Sequence, residues 1–468
     1  MARELLIGKL GFGKDDAFYG LELCLSIAGK SAVSVTPQTA RSVNVLLVTL
    51  FWYRDVYRLA SFFRKAGIYK GMKDGPLIII GGMHATMNPR LVAEFCDFVF
   101  IGDADDALGG IIEQIEAGDN PVHDHLITSE SAEIPLPREC PPSAFAMNKG
   151  GAMDVVRIEI ARGCRFKCSF CALSGMKQYR EVPIDAIITI LEACKSKTIS
   201  LFAPDRSMHA DWPKLEEWMT AHKKRDLGQD ARLENIHKIK KSSVTFGLEG
   251  ISERLRKSIK KNYSEDFIIQ KLGDFIEQQG RICMISAYFI ADLPGENDSD
   301  WEELWRLFER IESEHFSRFM TFKPVLNPLS PKPFTGLRDA EVHPFRDYRT
   351  KWKHILRKGG NSQWGFRCVE SLVWGPMQRV MDAIATWGGP EAAQLIRSMS
   401  NPLLDQRIQL KDQHLVARKL IQKAVEAGCT EAQLFGPRSH ARVTTSPTAP
   451  ASNLGHLAGQ GATQRAVA

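Results

Sequence analysis

Cys164, Cys168 and Cys171, in the stretch Ala161-Arg162-Gly163-Cys164-Arg165-Phe166-Lys167-Cys168-Ser169-Phe170-Cys171, constrain this chain more than any other feature. Thiolates at C-x3-C-x2-C spacing make a compact set of soft ligands, suited to zinc or to an iron–sulfur cluster. A closed zinc site takes four ligands, usually as two close pairs, and no fourth Cys or His follows within the next ten residues. Three ligands leave one metal position open, which favours a reactive site over a structural one. The bland alternatives are a zinc knuckle or three unrelated buried thiols.

The other seven cysteines (Cys24, Cys96, Cys140, Cys194, Cys283, Cys368 and Cys429) have no paired spacing. That pattern suits free thiols in a reducing cytoplasm better than a disulfide framework. The N-terminus has no apolar h-region with a small-residue cleavage site, so no signal peptide is expected. No apolar run approaches the roughly 18–20 residues of a membrane span. At 468 residues the chain has room for two or three domains. Its net charge of +6 permits an anionic partner without demanding one.

Residues 1–120 read as short strands alternating with helices. Strand candidates are 5–10, 32–35, 43–50, 77–82 and 98–102, with helical spacing over 15–28 and 56–65. The alternation predicts a doubly wound (Rossmann-like) parallel sheet, whose ligands bind beyond the strands' carboxyl ends. Residues 121–151 read as a linker, broken by Pro121, Pro135, Pro137, Pro141 and Pro142 and closed by Gly150-Gly151. A second α/β unit spans 152–335, with strands near 155–160, 198–202, 243–250, 282–290 and 318–325. A helical region is expected over 336–430, and a tail poor in packing residues, expected to be disordered, over 438–468. The stretch 220–241 is strongly basic; such a run is usually a solvated face, with nucleic-acid contact as the sharper reading.

Several stretches together resemble the radical SAM superfamily with an N-terminal cobalamin (B12)-binding-like domain. The cysteine triad carries the resemblance most specifically, and Phe170 stands where that family commonly has an aromatic. Gly247-Leu248-Glu249 and Leu293-Pro294-Gly295-Glu296 resemble the G-x-E and G-L-P-G-E-T segments of a barrel subgroup, with Asp292 in place of the first glycine. Gly81-Gly82-Met83-His84-Ala85-Thr86 and Gly102-Asp103-Ala104-Asp105 resemble the G-G-x-H-A-T and G-E-x-E stretches of the cobalamin-type domain, with aspartates for glutamates. No D-x-H-x-x-G motif supplies an axial histidine.

The resemblance implies a partial (β/α) radical SAM barrel, with Cys164, Cys168 and Cys171 holding a 4Fe–4S cluster whose fourth iron binds S-adenosyl-L-methionine. It implies Phe170, Asp205 and Glu249 as residues near that cofactor, and Gly81, Gly82 and His84 as residues near cobalamin. The bland readings are a cap or turn former for Asp205, a strand-end carboxylate for Glu249 and a loop histidine for His84. Glu296 has a geometric role in its turn or caps the following helix.

The implied chemistry is reductive cleavage of S-adenosylmethionine to a 5′-deoxyadenosyl radical, with electrons from a flavodoxin or ferredoxin. The outcome stays open between cobalamin-dependent methylation or rearrangement of a carbon centre and a cobalamin-independent isomerase or modifying enzyme acting on a nucleobase in nucleic acid. A non-catalytic iron–sulfur or zinc binding module is the alternative from another class. The substrate and any catalytic residues beyond the cysteines are not legible in the sequence.

Overall fold

The computed structural model describes residues 5–12, 19–149, 155–228, 231–239, 241–279, 283–315, 320–359, 375–399 and 410–436. The tail 438–468 and the first part of the helix expected over 15–28 lie outside them.

The apolar runs near the N-terminus become the strands β1 (Ile7–Gly11), β2 (Val33–Ser34), β3 (Val45–Thr49), β4 (Leu77–Gly81) and β5 (Phe98–Phe100), all parallel. A sixth strand, β6 (Leu126–Ile127), is antiparallel to β5, and the order is β2-β1-β3-β4-β5-β6. The expected doubly wound sheet is therefore present. The sequence has little alternation in β3 and β4 because both faces are covered. The helices Tyr19–Ile27 and Leu108–Ala117 cover one face. On the other, the helices Tyr53–Ala66 and Pro89–Val92 share one apolar core with Pro376–Trp387, Pro390–Ser398 and Leu410–Glu426, from far along the chain. In this strand order the direction of winding reverses between β1 and β3, so the ligand crevice of such a sheet falls there.

The proline-bearing stretch read as a linker supplies β6 to the first sheet and β7 (Ala146–Lys149) to the next. That sheet has the order β12-β11-β8-β7, with β8 (Val155–Glu159), β11 (Thr198–Phe202) and β12 (Arg225–Asp226) parallel. A short antiparallel pair, β9 (Ala161–Arg162) and β10 (Arg180–Glu181), stands beside it. A third sheet holds β13 (Ser243–Gly250), β14 (Cys283–Ala291) and β15 (Met320–Pro328), all parallel.

The expected barrel strands are thus present as two three-stranded parallel sets, and among the described residues no ladder joins them. One physical reason lies in β12, which is only two residues long. The carboxylate of its Asp226 accepts hydrogen bonds from the backbone N–H groups of Leu201 and Gly228, and pairs with Arg206. Its side chain stands in for ladder partners. Separate apolar cores lie under the two sets, one around Ile158, Ile199 and Leu201, the other around Phe246, Phe289 and Phe322.

Candidate active site

The strand β8 delivers the chain into β9, and the cysteine loop opens at Gly163. Gly163 has φ +75°, and a Cβ there would lie 1.9 Å from the Gln178 carbonyl oxygen. Only glycine lets the loop start this close to its own return strand. The loop is then fastened at several points. Ser169 donates its N–H to the Ile259 carbonyl (3.2 Å) and accepts from the Leu337 N–H (2.9 Å). The Cys171 N–H reaches the Cys168 carbonyl (3.1 Å), and the Ser174 hydroxyl donates to the Cys171 carbonyl (2.9 Å). The loop therefore starts from the first parallel set and rests on elements of the second.

Cys168 is buried, while Cys164 and Cys171 are half-buried. Burial pushes the thiols of Cys164 and Cys168 above the ordinary cysteine range. The Arg232 charge pulls both back, and Lys261 pulls Cys168 back as well. The Arg232 guanidinium lies over the Phe166 ring, 3.4 Å from its centroid, with one nitrogen 4.0 Å from the Cys168 sulfur. Two cations at a three-thiol loop favour the thiolate forms that a metal needs.

Glu249 ends β13 in the left-handed region, φ +67°, beside a register shift between Gly247 and Glu249. Its carboxylate stands 3.4 Å from the Lys261 ammonium, which also donates to the Gly247 carbonyl. Burial raises the Glu249 pKa, against the pull of Lys261 and Arg232. Lys261 and Arg232 thus act on both the cysteine loop and Glu249, so the structure brings these expected site residues together.

Asp205 reaches the site only indirectly. It is 2 % exposed, and both its oxygens are committed. One accepts from the Ser207 N–H and hydroxyl, the other from the Arg232 N–H (3.3 Å) and the Asn235 amide (3.1 Å). It organises the loop that presents Arg232, which is the capping role open to it from the start. Phe170 packs its ring against the core of the β13–β15 set.

The residues expected near cobalamin are placed differently. Gly82 has φ +99°, and a Cβ there would lie 2.6 Å from the Leu50 carbonyl, so strand packing alone requires this glycine. His84 is fully buried, and among the described residues neither ring nitrogen has a partner in hydrogen-bond geometry. Burial, with help from the Lys332 charge, pushes its pKa down to about 4. The helix Pro376–Trp387 seals this corner: the Asn88 amide donates to the carbonyls of Ala385 (2.9 Å) and Gly388 (2.8 Å), and the Tyr57 hydroxyl to that of Met381 (2.8 Å). The strand order points instead to the ends of β1 and β3, where Phe51 and Trp52 follow β3, 43 % and 63 % exposed and stacked edge to face at 4.9 Å.

Sequence reasoning also missed Arg232 and Lys261 as site residues. Arg232 sits in the basic run that read as a solvated face or a nucleic-acid contact. Lys224 and Lys241 in that run likewise turn inward, onto the carbonyls of Cys194 and Ser196 and of Gly228. Glu296 accepts from the Asp292 N–H (2.6 Å) and the Trp301 indole (3.0 Å), which is the geometric role expected of that turn. Asp292 holds φ +67°, the conformation that explains a glycine at this place in the resembled pattern.

Residues 158–308 match the sequence model of the radical SAM superfamily, and residues 38–135 that of the N-terminal region of radical SAM proteins. The chain belongs to the radical SAM superfamily. Among its relatives is an uncharacterized protein of Methanocaldococcus jannaschii, 25 % identical over 346 residues, covering 68 % of this chain and 74 % of the relative. A second, the bacteriochlorophyllide d C-8(2)-methyltransferase of Chlorobaculum tepidum, is 26 % identical over 133 residues, 26 % of this radical SAM protein and 27 % of the relative. Among solved structures, the cobalamin-dependent S-adenosylmethionine radical enzyme OxsB overlays with a TM-score of 0.43 at 10 % identity, covering 68 % of this chain. The chain spans about half the length of that enzyme (52 %). No described helix is long and apolar enough to cross a membrane, and the nine cysteines among the described residues are free thiols.

Proposed function

We propose that this protein reductively cleaves S-adenosylmethionine at a 4Fe–4S cluster held by Cys164, Cys168 and Cys171, and modifies a carbon centre of its substrate. The observation that carries this reading is a loop with three cysteine donors that has Arg232 against Cys168 and, acting on the same thiol, the charge of Lys261, which pairs with Glu249. The donor set fits: three soft ligands, with two cations to offset thiolate charge. When bound, the cluster and S-adenosylmethionine together supply one-electron cleavage of the sulfonium and a 5′-deoxyadenosyl radical. The chain's own share is positioning and exclusion of water. Arg232 and Lys261 hold the anionic loop, and Glu249 offers a carboxylate whose protonation burial favours. A flavodoxin or ferredoxin of a reducing cytoplasm is the reductant this chemistry asks for.

Cobalamin does not fit the residues first read for it. His84 is packed under the helix Pro376–Trp387 and Gly82 against the Leu50 carbonyl, so no step is assigned to that group. The methyltransferase relative supports methylation as the reaction class, and the inward-turned Lys224, Arg232 and Lys241 remove much of the support for a nucleic-acid substrate.

Anaerobic reconstitution tests the main reading. The wild-type protein should take up iron and sulfide and convert S-adenosylmethionine with dithionite, and Cys164→Ala should lose both. A wild-type protein that binds no cluster, or a Cys164→Ala protein that keeps it, sinks the proposal. Reconstitution with hydroxocobalamin addresses the first sheet: retention abolished by Trp52→Ala but not by His84→Leu would place cobalamin at the β1/β3 crevice.

A further inference from the structure

The cysteine loop leaves β9 and returns through β10, and both of these short strands carry cations that point at the N-terminal sheet. Arg162, two residues before Cys164, sets one guanidinium nitrogen 3.0 Å from Asp105 and 3.3 Å from Asp103, and another 2.7 Å from Glu159. Lys177, between the loop's short helix and β10, pairs with Asp103. Arg180 in β10 lies 3.3 Å from Asp103 and donates to the Cys140 carbonyl at 2.6 Å. Asp103 and Asp105 follow the end of β5 and are buried. Their loop is fixed in turn. Gly102 has φ +95°, with the Arg138 backbone 2.2 Å from where a Cβ would stand, and Asp103 donates its N–H to the Arg138 carbonyl (2.9 Å).

The donor atoms of Asp103, Asp105 and Cys140 lie within 4.8 Å of one another, a spacing that also suits a metal ion. The charges argue otherwise. Asp103, Asp105 and Glu159 are matched by Arg162, Lys177 and Arg180, and burial, then the neighbouring Asp105 and Asp103, push the Cys140 thiol up to about 12. A protonated thiol and carboxylates already neutralised leave little for a cation to bind.

We propose that Asp103 and Asp105 are positioning residues for the cysteine loop, through which the N-terminal sheet sets the geometry of Cys164, Cys168 and Cys171. The anchor cations stand on both sides of the triad, so the two carboxylates hold entry and exit of the loop against one rigid strand end. Buried ion pairs bring orientation more than net stability, and a small displacement of a reacting group is enough to slow chemistry. The inference rests on the reading that the triad holds the cluster.

The test uses the full chain, anaerobically reconstituted, with Asp103→Asn, Lys177→Met and their double variant. Iron content should match wild type, because every ligand is intact. The change in the electron paramagnetic resonance spectrum of the reduced cluster on adding S-adenosylmethionine should weaken. Cleavage per cluster should fall on the order of ten- to a hundredfold, as expected for a displaced reacting centre. The double variant should lose no more than the worse single one, because both remove one contact. Wild-type spectra and cleavage in both single variants would overturn the proposal. So would lower melting temperature alone, with activity per cluster unchanged, since that describes a merely structural interface. If Asp103→Asn does not fold, the partly exposed Lys177→Met decides by the same readouts. A wild-type protein without a cluster defeats the functional reading itself, so the two failures are distinguishable.

Discussion

Strands of the N-terminal sheet and of the next two sheets run out into turns that hold glycine or polar residues at β4, β9 and β13, yet these strand ends have different fates. At the end of β4, His84 disappears beneath the helix Pro376–Trp387, and Gly82 is held against the Leu50 carbonyl. At the ends of β9 and β13, the cysteines and Glu249 stay near a shared pair of cations, and Cys164 and Cys171 remain partly accessible. The residue types are similar; what separates a packed corner from a candidate site is whether a distant element covers it. A buried polar group with no partner is costly, and His84 bears that cost without contacting the cysteine loop.

The comparison can be broken most forcefully at Lys261. Its ammonium holds both the Gly247 carbonyl and the Glu249 carboxylate. Lys261→Met leaves that carboxylate buried with only the Arg232 charge to offset it, which should destabilise the protein by about 3 kcal/mol near pH 8. Burial already favours protonated Glu249, so the loss should shrink as the pH falls and the carboxyl neutralises. Denaturant titrations at pH 8 and pH 5 measure this. An equal loss at both would mean that Lys261 contributes packing rather than charge, and that the strand end of β13 is no more electrostatic than that of β4.

The next effect concerns His84. Its folded pKa, about 4, lies below the ordinary value of 6.5. Between those values the unfolded chain binds the proton and the native protein does not, so stability is full above about pH 6.5 and falls as the pH drops towards 4. The span corresponds to about 3 kcal/mol at most. His84→Leu should remove that acid-side loss over the window while leaving reductive cleavage of S-adenosylmethionine unchanged at pH 7.5. Glu296 works in the opposite direction: burial raises its pKa to about 7, so it loses stability as the pH rises through the same range. The two slopes partly cancel in the wild type, and the variant should expose the Glu296 slope. A variant with the wild-type profile would remove His84 from the account.

These cases separate what local sequence carries from what it does not. The cysteine spacing and the apolar runs of β3 and β4 were legible because ligand set and strand burial are written within a few residues. Asp292 was legible as a departure from glycine, and its φ of +67° supplies the reason. The cover over His84 was not legible: an amphipathic helix announces that it packs, not that its partner lies some 300 residues away, as Asn88 and Ala385 do. Arg232 was hidden for another reason. A cation in a basic run looks solvated, and only the fold turns it towards Phe166 and Cys168. Asp205 stands in the expected loop, and its buried carboxylate accepts from four donors, an ordering role that a single loop aspartate in the sequence does not announce.

The smallest effect gives the sharpest comparison, because it sets two adjacent glycines against each other. A Cβ on Gly81 would find its nearest neighbour at 3.9 Å, an ordinary contact with Phe100, whereas one on Gly82 would meet the Leu50 carbonyl at 2.6 Å and carry φ +99°. Gly82→Ala should therefore cost about 1–3 kcal/mol, the scale of local backbone strain, and Gly81→Ala well under about 1 kcal/mol, the scale of a tolerated surface change. If the pair serves only strand packing, thermal or denaturant unfolding will register the difference and cleavage of S-adenosylmethionine will not. If Gly81→Ala instead leaves stability intact but lowers retention of added hydroxocobalamin, the turn contacts a ligand after all, and the end of β4 belongs with the end of β13 rather than against it.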